Sequence, residues 1–391
     1  MPCGVRLKSF LAPAAVAALA ALALAGCSST ENFEEADPVP EVVSSVSLEA
    51  RWSLQVGDGY DGKYLHLRPT VVGGSLYAVS ADGELVAVGP ATGEVRWRRT
   101  LGETIMAGVG GDSRNLYVVT ADAELMALNR RDGEELWRLR MPNEVLAPPR
   151  SNGSLVLTQT IDGRVVAADT RSGERLWQFD APSPALSVRD TAPPVVGSEL
   201  ALISLANGRL VALSTDSGQP VWQYTVGEPS GRTELERLVD VTAEPVIVEG
   251  AALVAGYQGK LALVDLRNGQ EIWSRSTSTF HSPALGPGRI FIAEANGDLV
   301  GLDASNLDPV WTQDELSWRR LSAPSAIDDF LVVGDYEGYL HILAQEDGQF
   351  QGQNRFDKAG IRAPMVRWEN RLIVYGNSGR LAAFTLNDSR D

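Results

Sequence analysis

A turn glycine, or a residue standing in for it, recurs eight times along the chain at intervals of about forty residues: Gly83, Ala123, Gly163, Gly208, Gly259, Gly297, Gly338 and Gly379. Fourteen residues after six of these stands a tryptophan (Trp97, Trp137, Trp177, Trp222, Trp273, Trp311), and fourteen before six of them a proline (Pro69, Pro149, Pro194, Pro245, Pro283, Pro324). A period of this length marks a supersecondary unit that cannot bury its apolar face alone and must stack on its neighbours. Within a unit, short runs such as Arg289-Ile290-Phe291-Ile292-Ala293 and Asp298-Leu299-Val300-Gly301-Leu302 alternate in polarity and are bounded by Asn, Asp and Gly. That is the pattern of strands joined by tight turns, in which glycine supplies the positive φ. Each copy predicts four short antiparallel strands, one propeller blade. No segment beyond residue 26 carries a 3.6-residue apolar stripe over three turns. The expected fold class is all-β, an eight-bladed β-propeller.

The two ends of the repeat array complete one another. The last copy has Pro364 and Gly379, but the chain ends at Asp391, before a Trp-bearing strand. Ala50-Arg51-Trp52-Ser53-Leu54 has the look of that missing strand with nothing before it. Trp52 is therefore expected to complete blade eight and remove the free sheet edges. One tryptophan per blade at an equivalent site predicts buried, structural rings rather than a ligand-stacking row. Copy seven has Gly352 where tryptophan is expected, which predicts that blade seven is the softest joint of the ring.

Before the repeats, Arg6 and Lys8 precede an Ala- and Leu-rich stretch from Phe10 to Ala25. The layout is that of a secretory signal, too short for a comfortable membrane span. It ends in Leu24-Ala25-Gly26-Cys27, which resembles the lipobox of bacterial lipoproteins. The resemblance implies removal of residues 1–26 and acylation of Cys27, a durable anchor once more than one chain is attached. Ser28 rather than Asp after the cysteine implies sorting to the outer membrane, with the protein on its periplasmic face. Residues 27–46, with Glu31, Glu34, Glu35, Asp37, Pro38 and Pro40, read as an acidic flexible tether, and residues 47–391 as the propeller. The other cysteine, Cys3, falls in the leader, so no thiol remains for a disulfide. Loss of two basic residues and no acidic ones moves the formal charge from −16 to −18, a poor match for nucleic acid or an anionic membrane.

Catalytic signatures are lacking. The three histidines, His66, His281 and His341, lie in different copies at no ligand spacing, and there is no His-Glu-x-x-His, Gly-x-Ser-x-Gly or phosphate-binding glycine loop. The sequence therefore predicts no cofactor, no metal and no enzyme.

Two families resemble these repeats. Ala167-Ala168-Asp169 through Gly173 to Trp177 resembles the repeat of pyrroloquinoline quinone dehydrogenases, which are also eight-bladed. Those enzymes are longer and carry an adjacent cysteine pair that this chain does not have. A likeness of repeats implies fold rather than cofactor. The lipobox, the acidic tether and eight repeats together resemble the BamB family, lipoprotein propellers of the outer-membrane β-barrel assembly (BAM) machinery. The most specific segments are Leu186-Ser187-Val188-Arg189, Thr233 to Val241, and Val333 to His341. The resemblance implies a non-catalytic scaffold that binds a POTRA domain of BamA, assists insertion of barrel proteins, and meets their unfolded forms as clients. A periplasmic propeller serving a different envelope protein, or a quinone dehydrogenase that has shed its cysteine pair, is the alternative.

Spacing selects a face. From each Trp to the next Pro (or Val109) the gap is 10 to 13 residues, except Trp52–Pro69 and Trp177–Pro194 at 17, and Trp222–Pro245 at 23. All three longer connections join an outermost strand to the next innermost strand, so they emerge on one face, the expected binding side. Two of them flank blade four and hold the family segments. By position the resemblance implicates Leu186, Val188, Arg189 and Asp240, with Glu236 and Arg237 nearby; Thr242 stands where the family has a second acidic residue. Alternatively, Leu186 and Val188 pack under their own loop and leave Arg189 as a solvated charge. Trp318-Arg319-Arg320, a basic and aromatic cluster, falls on the same expected face.

Overall fold

The computed structural model describes residues 34–388 apart from 64 and 185. Cys27 and the leader lie outside the described residues. Ala36–Asp391 forms one compact unit. Its regular structure is entirely β among the described residues, and the strands fall into eight sheets. Blade three shows the plan: Arg150–Ser151, Leu155–Gln159, Arg164–Asp169 and Arg175–Asp180 pair in that order, from innermost to outermost. The two middle strands are buried along most of their length, and the outermost alternates between exposed and half-buried. That gradient follows from a blade packed on both faces by its neighbours and open only at its rim.

Blade eight is made from both ends of the chain. Val46–Gln55 pairs antiparallel with Arg380–Asp388, setting Trp52 opposite Ala383, so the ring is closed as the repeat count requires. In every blade the outermost strand carries a bulge beside the Trp position, and the residue opposite is usually Ala or Gly.

The Gly-x-x-x-Trp spacing has a reciprocal cause. Six of the repeat tryptophans lie on the turn between the third and fourth strands of the following blade. A Cβ on Gly93, Gly133, Gly173, Gly218, Gly269 or Gly348 would lie 2.5–2.8 Å from the indole of Trp52, Trp97, Trp137, Trp177, Trp222 or Trp311. The indole N–H of Trp177 donates to Thr215 O at 2.7 Å and that of Trp222 to Leu266 O at 2.8 Å, so these seams gain a hydrogen bond as well as burial. Gly352 is the exception that follows from closure. Blade eight has no such turn, because its fourth strand comes from the other end of the chain. Gly352 instead admits that strand: a Cβ there would be 1.9 Å from Val46 O. At this position the packing is tight rather than loose.

Two further expectations change. The connection after Trp52 is no surface loop: Tyr60, Leu65 and Leu67 are buried, and His66–Leu67 adds a parallel strand to Ala107–Gly108 of blade two. Part of the stretch expected to be a flexible tether, residues 37–45, is bonded to the propeller. Asp37 N donates to Ser317 O at 3.0 Å, and Ser45 N to Gln351 O at 2.9 Å, so the segment from Asp37 to Ser45 is strapped to blades six and seven.

Candidate functional site: a loop surface flanking blade four

The hairpin turn between second and third strands holds the start of each outgoing connection. Ala181 N donates to Gly163 O, Val226 N to Gly208 O and Met141 N to Ala123 O. These connections therefore share a face with the hairpin turns. At Gly208, with φ +78°, a Cβ would be 2.3 Å from Gly227 O, so glycine is required where the loop 226–245 begins.

On the loop between blades three and four, Leu186 is 42 % exposed and Val188 half-buried. Arg189 adopts a positive φ of 57° and reaches outward; its guanidinium donates to Glu144 Oε2 at 2.9 Å on the neighbouring connection. The Arg189 side chain keeps 70 % exposure. An exposed pair of this kind contributes about 0–1 kcal/mol, so a competing partner could draw the arginine away at little cost.

On the loop between blades four and five, Thr233-x-x-Glu236 forms a reciprocal cap. The Glu236 carboxylate accepts from Arg232 N and Thr233 N, and Glu236 N donates to Thr233 Oγ1. The two backbone N–H groups hold the Glu236 carboxyl below its ordinary value. The cap fixes a single turn whose crest, Leu235, is 71 % exposed beside exposed Arg237. Leu235 was not among the residues singled out by sequence, although the capping signature was legible in it.

Asp240 differs from expectation. It is 2 % exposed, and its carboxylate accepts from Val188 N at 3.2 Å, tying one loop to the other. Its backbone pairs with Tyr257, whose ring stacks on Phe280. Burial, reinforced by nearby Asp190 and only partly offset by the Val188 N–H, pushes its pKa up to about 7. A side chain so enclosed is not on the surface a partner would touch. Thr242 is likewise buried, its hydroxyl donating to Phe280 O at 3.0 Å.

The basic and aromatic cluster divides. Trp318 is 44 % exposed, whereas Arg319 is buried, donating to Asp335 Oδ2 at 2.7 and 2.9 Å, to Glu337, and to Asp37 O at 2.7 Å. His341 Nε2 meets the same Asp335 oxygen at 3.0 Å. Arg319 thus clamps the strap rather than offering charge to a partner. Sequence reasoning also missed a triad joining non-adjacent blades. Glu244 bonds Arg68 at 2.7 Å and Arg150 at 2.8 Å, linking the innermost edges of blades one, three and five across the centre of the ring. No grouping of His, Cys, Asp and Glu among the described residues could hold a metal ion.

A closed ring of eight blades, with its longer connections gathered on one face, defines an eight-bladed β-propeller. The profile of a family described as "Outer membrane protein assembly factor BamB" matches residues 81–313. A protein of that description from Marinobacter adhaerens is 64 % identical over 363 residues, covering 93 % of each chain. The crystal structure of BamB from Moraxella catarrhalis aligns with TM-score 0.79 and 26 % identity, over 87 % of this chain and 100 % of that one. A europium-containing methanol dehydrogenase aligns with TM-score 0.68 over 86 % of this chain and 93 % of that one, but its 15 % identity speaks for the fold alone. The chain belongs to the BamB family of outer-membrane protein assembly factors, with PQQ-like repeats.

Proposed function

We propose that this protein is a non-catalytic scaffold that binds a POTRA domain of BamA through the loop surface beside blade four, as a member of the BAM complex. The contact surface is Leu186, Val188 and Arg189 on one loop, with Leu235, Glu236 and Arg237 on the next. The supporting observation is the pair of exposed leucines, Leu186 and Leu235, on adjacent loops of one face with arginines beside them. Aliphatic anchors ringed by arginine are a common hot-spot composition, and their exposure is costly until something covers them. Asp240 belongs to this reading as an internal support rather than as a contact.

In the same reading, acylated Cys27 anchors the protein to the periplasmic side of the outer membrane, and the scaffold assists folding and insertion of barrel proteins. Unfolded clients would add to exposed strand edges at the blade rims, a mode that tolerates varied sequence. The test is affinity capture of the lipidated protein from gently solubilised outer membranes, followed by mass spectrometry. BamA is expected among the captured proteins, and its recovery should fall when Leu186→Ala and Arg189→Glu are combined in a folded propeller. Capture of another envelope protein without BamA would overturn the assignment.

A further inference from the structure

We propose that Asp240 is a positioning residue whose buried carboxyl holds the loop 181–194 against the loop 226–245, and that its proton decides how firmly Leu186, Val188 and Arg189 are presented. The consequence for partner binding rests on the function proposed above; the latch itself does not. Asp240 is buried on its own loop, yet its carboxylate reaches the backbone N–H of Val188, in the middle of the apolar stretch. The loops are excursions from different blades, and this bond ties one to the other.

The surroundings make the latch sensitive to protonation. On the facing loop the nearby charged side chains are Asp190, which opposes a second negative charge, and Arg189, which is engaged by Glu144. From its own loop come Glu236 and Arg237, both exposed near the crest, and the Val241 N–H, which favours the charged form. From blade five the neighbour is Tyr257, bonded through its backbone. Burial and Asp190 raise the Asp240 carboxyl, and the Val188 and Val241 N–H groups offset them only in part. A neutral carboxyl still accepts from Val188 with one oxygen, while a charged one sits poorly solvated near Asp190.

The sign follows from linkage. With burial raising the carboxyl from an ordinary 3.8 to about 7, the closed arrangement is most stable below pH 4. That advantage is lost as pH rises toward 7. For one proton, the opening constant climbs by roughly tenfold per pH unit between 5 and 7 and then levels off.

The experiment is hydrogen exchange at the Val188 amide of the free protein at pH 5, 6, 7 and 8, corrected for the intrinsic rate. Wild type should lose protection by tens of fold from pH 5 to 7, and Asp240→Asn, which keeps an acceptor but cannot ionise, should be flat. Asp190→Asn provides a second variant; removing the opposed charge should move the levelling-off to lower pH. A flat wild-type profile, or the same slope in Asp240→Asn, would overturn the proposal. Because no partner enters this readout, failure of POTRA binding would leave it unaffected, and the two ideas fail separately.

Discussion

Restoring the repeat pattern at position 352 should damage the protein. Substitution toward a repeat consensus commonly stabilises, and Gly352 is the one interior place where tryptophan is missing. Even alanine tests the point. Its Cβ would lie 1.9 Å from Val46 O and 3.1 Å from Ile342 Cδ1. Relief requires the strand Val46–Gln55 to retreat by roughly 1 Å or more, since ordinary contacts lie beyond about 3.3 Å. That retreat strains Ser45 N to Gln351 O at 2.9 Å and Asn354 Nδ2 to Leu48 O at 3.3 Å. Overpacking at about 1–3 kcal/mol and two hydrogen bonds at about 1 kcal/mol each give an expected loss of about 3–5 kcal/mol. The loss falls on the seam first, so hydrogen exchange across residues 47–54, together with urea unfolding, should report it. Gly288→Ala is the control: nothing lies within 4 Å of its Cβ, and only its φ of +65° is penalised, by about 1–2 kcal/mol. Gly352→Ala no more harmful than Gly288→Ala would refute the steric account of closure.

Removing Arg319 should be severe, because it leaves buried Asp335 with only His341 as a side-chain counterpart; Arg319→Ala is expected to cost about 3–5 kcal/mol and to expose residues 37–45 to protease. Unchanged cleavage there would disprove the clamp. The Glu244 carboxyl is pushed up by burial but pulled lower overall by Arg68 and Arg150. Its contribution is therefore complete above the unfolded value of about 4.3 and lost as pH falls through the folded one. Glu244→Gln should cost about 2 kcal/mol at neutral pH, less than a fully buried pair because these side chains retain 20–24 % exposure. The variant should also lose less stability than wild type on acidification in urea melts; parallel acid curves would count against the triad. At the rim, Arg189→Ala alone should change propeller stability by no more than about 0.5 kcal/mol, since its ion pair is largely exposed. A larger shift in the melting curve would mean the loop depends on that pair.

What was legible in the sequence was whatever repeats. Seven glycine turns, with Ala123 standing in as the eighth, and their tryptophans fix blade number, and Trp52 fixes closure, because a periodic signal survives variation at any one copy. The loops do not repeat, and there the reading was weaker. Exposure of an apolar loop residue such as Leu186 cannot be read locally, and nothing local distinguishes Asp240 inside from Glu236 outside on the same loop. Their difference lies in Val188 and Tyr257, far off in sequence. The same holds for Arg319, which reads as surface charge beside Trp318 until Asp335, Glu337 and the Asp37 carbonyl are brought to it by the fold. The role of Gly352 is hidden for the complementary reason: its partner, Val46, lies at the opposite end of the chain.

The clamp at Asp37 has a mechanical consequence. The seam in blade eight is held by strand pairing and side-chain packing, with no hairpin between Val46–Gln55 and its neighbour to keep them together. A pull on the N-terminus would open such a seam one bond after another, like a zip. Upstream of it, however, Asp37 is gripped through both its N–H and its carbonyl, by Ser317 and by the buried Arg319 guanidinium. Traction is thus taken up by blades six and seven before it reaches the joint. The arrangement is that of a cable gland, which lets a cord be tugged without loosening the contacts behind it.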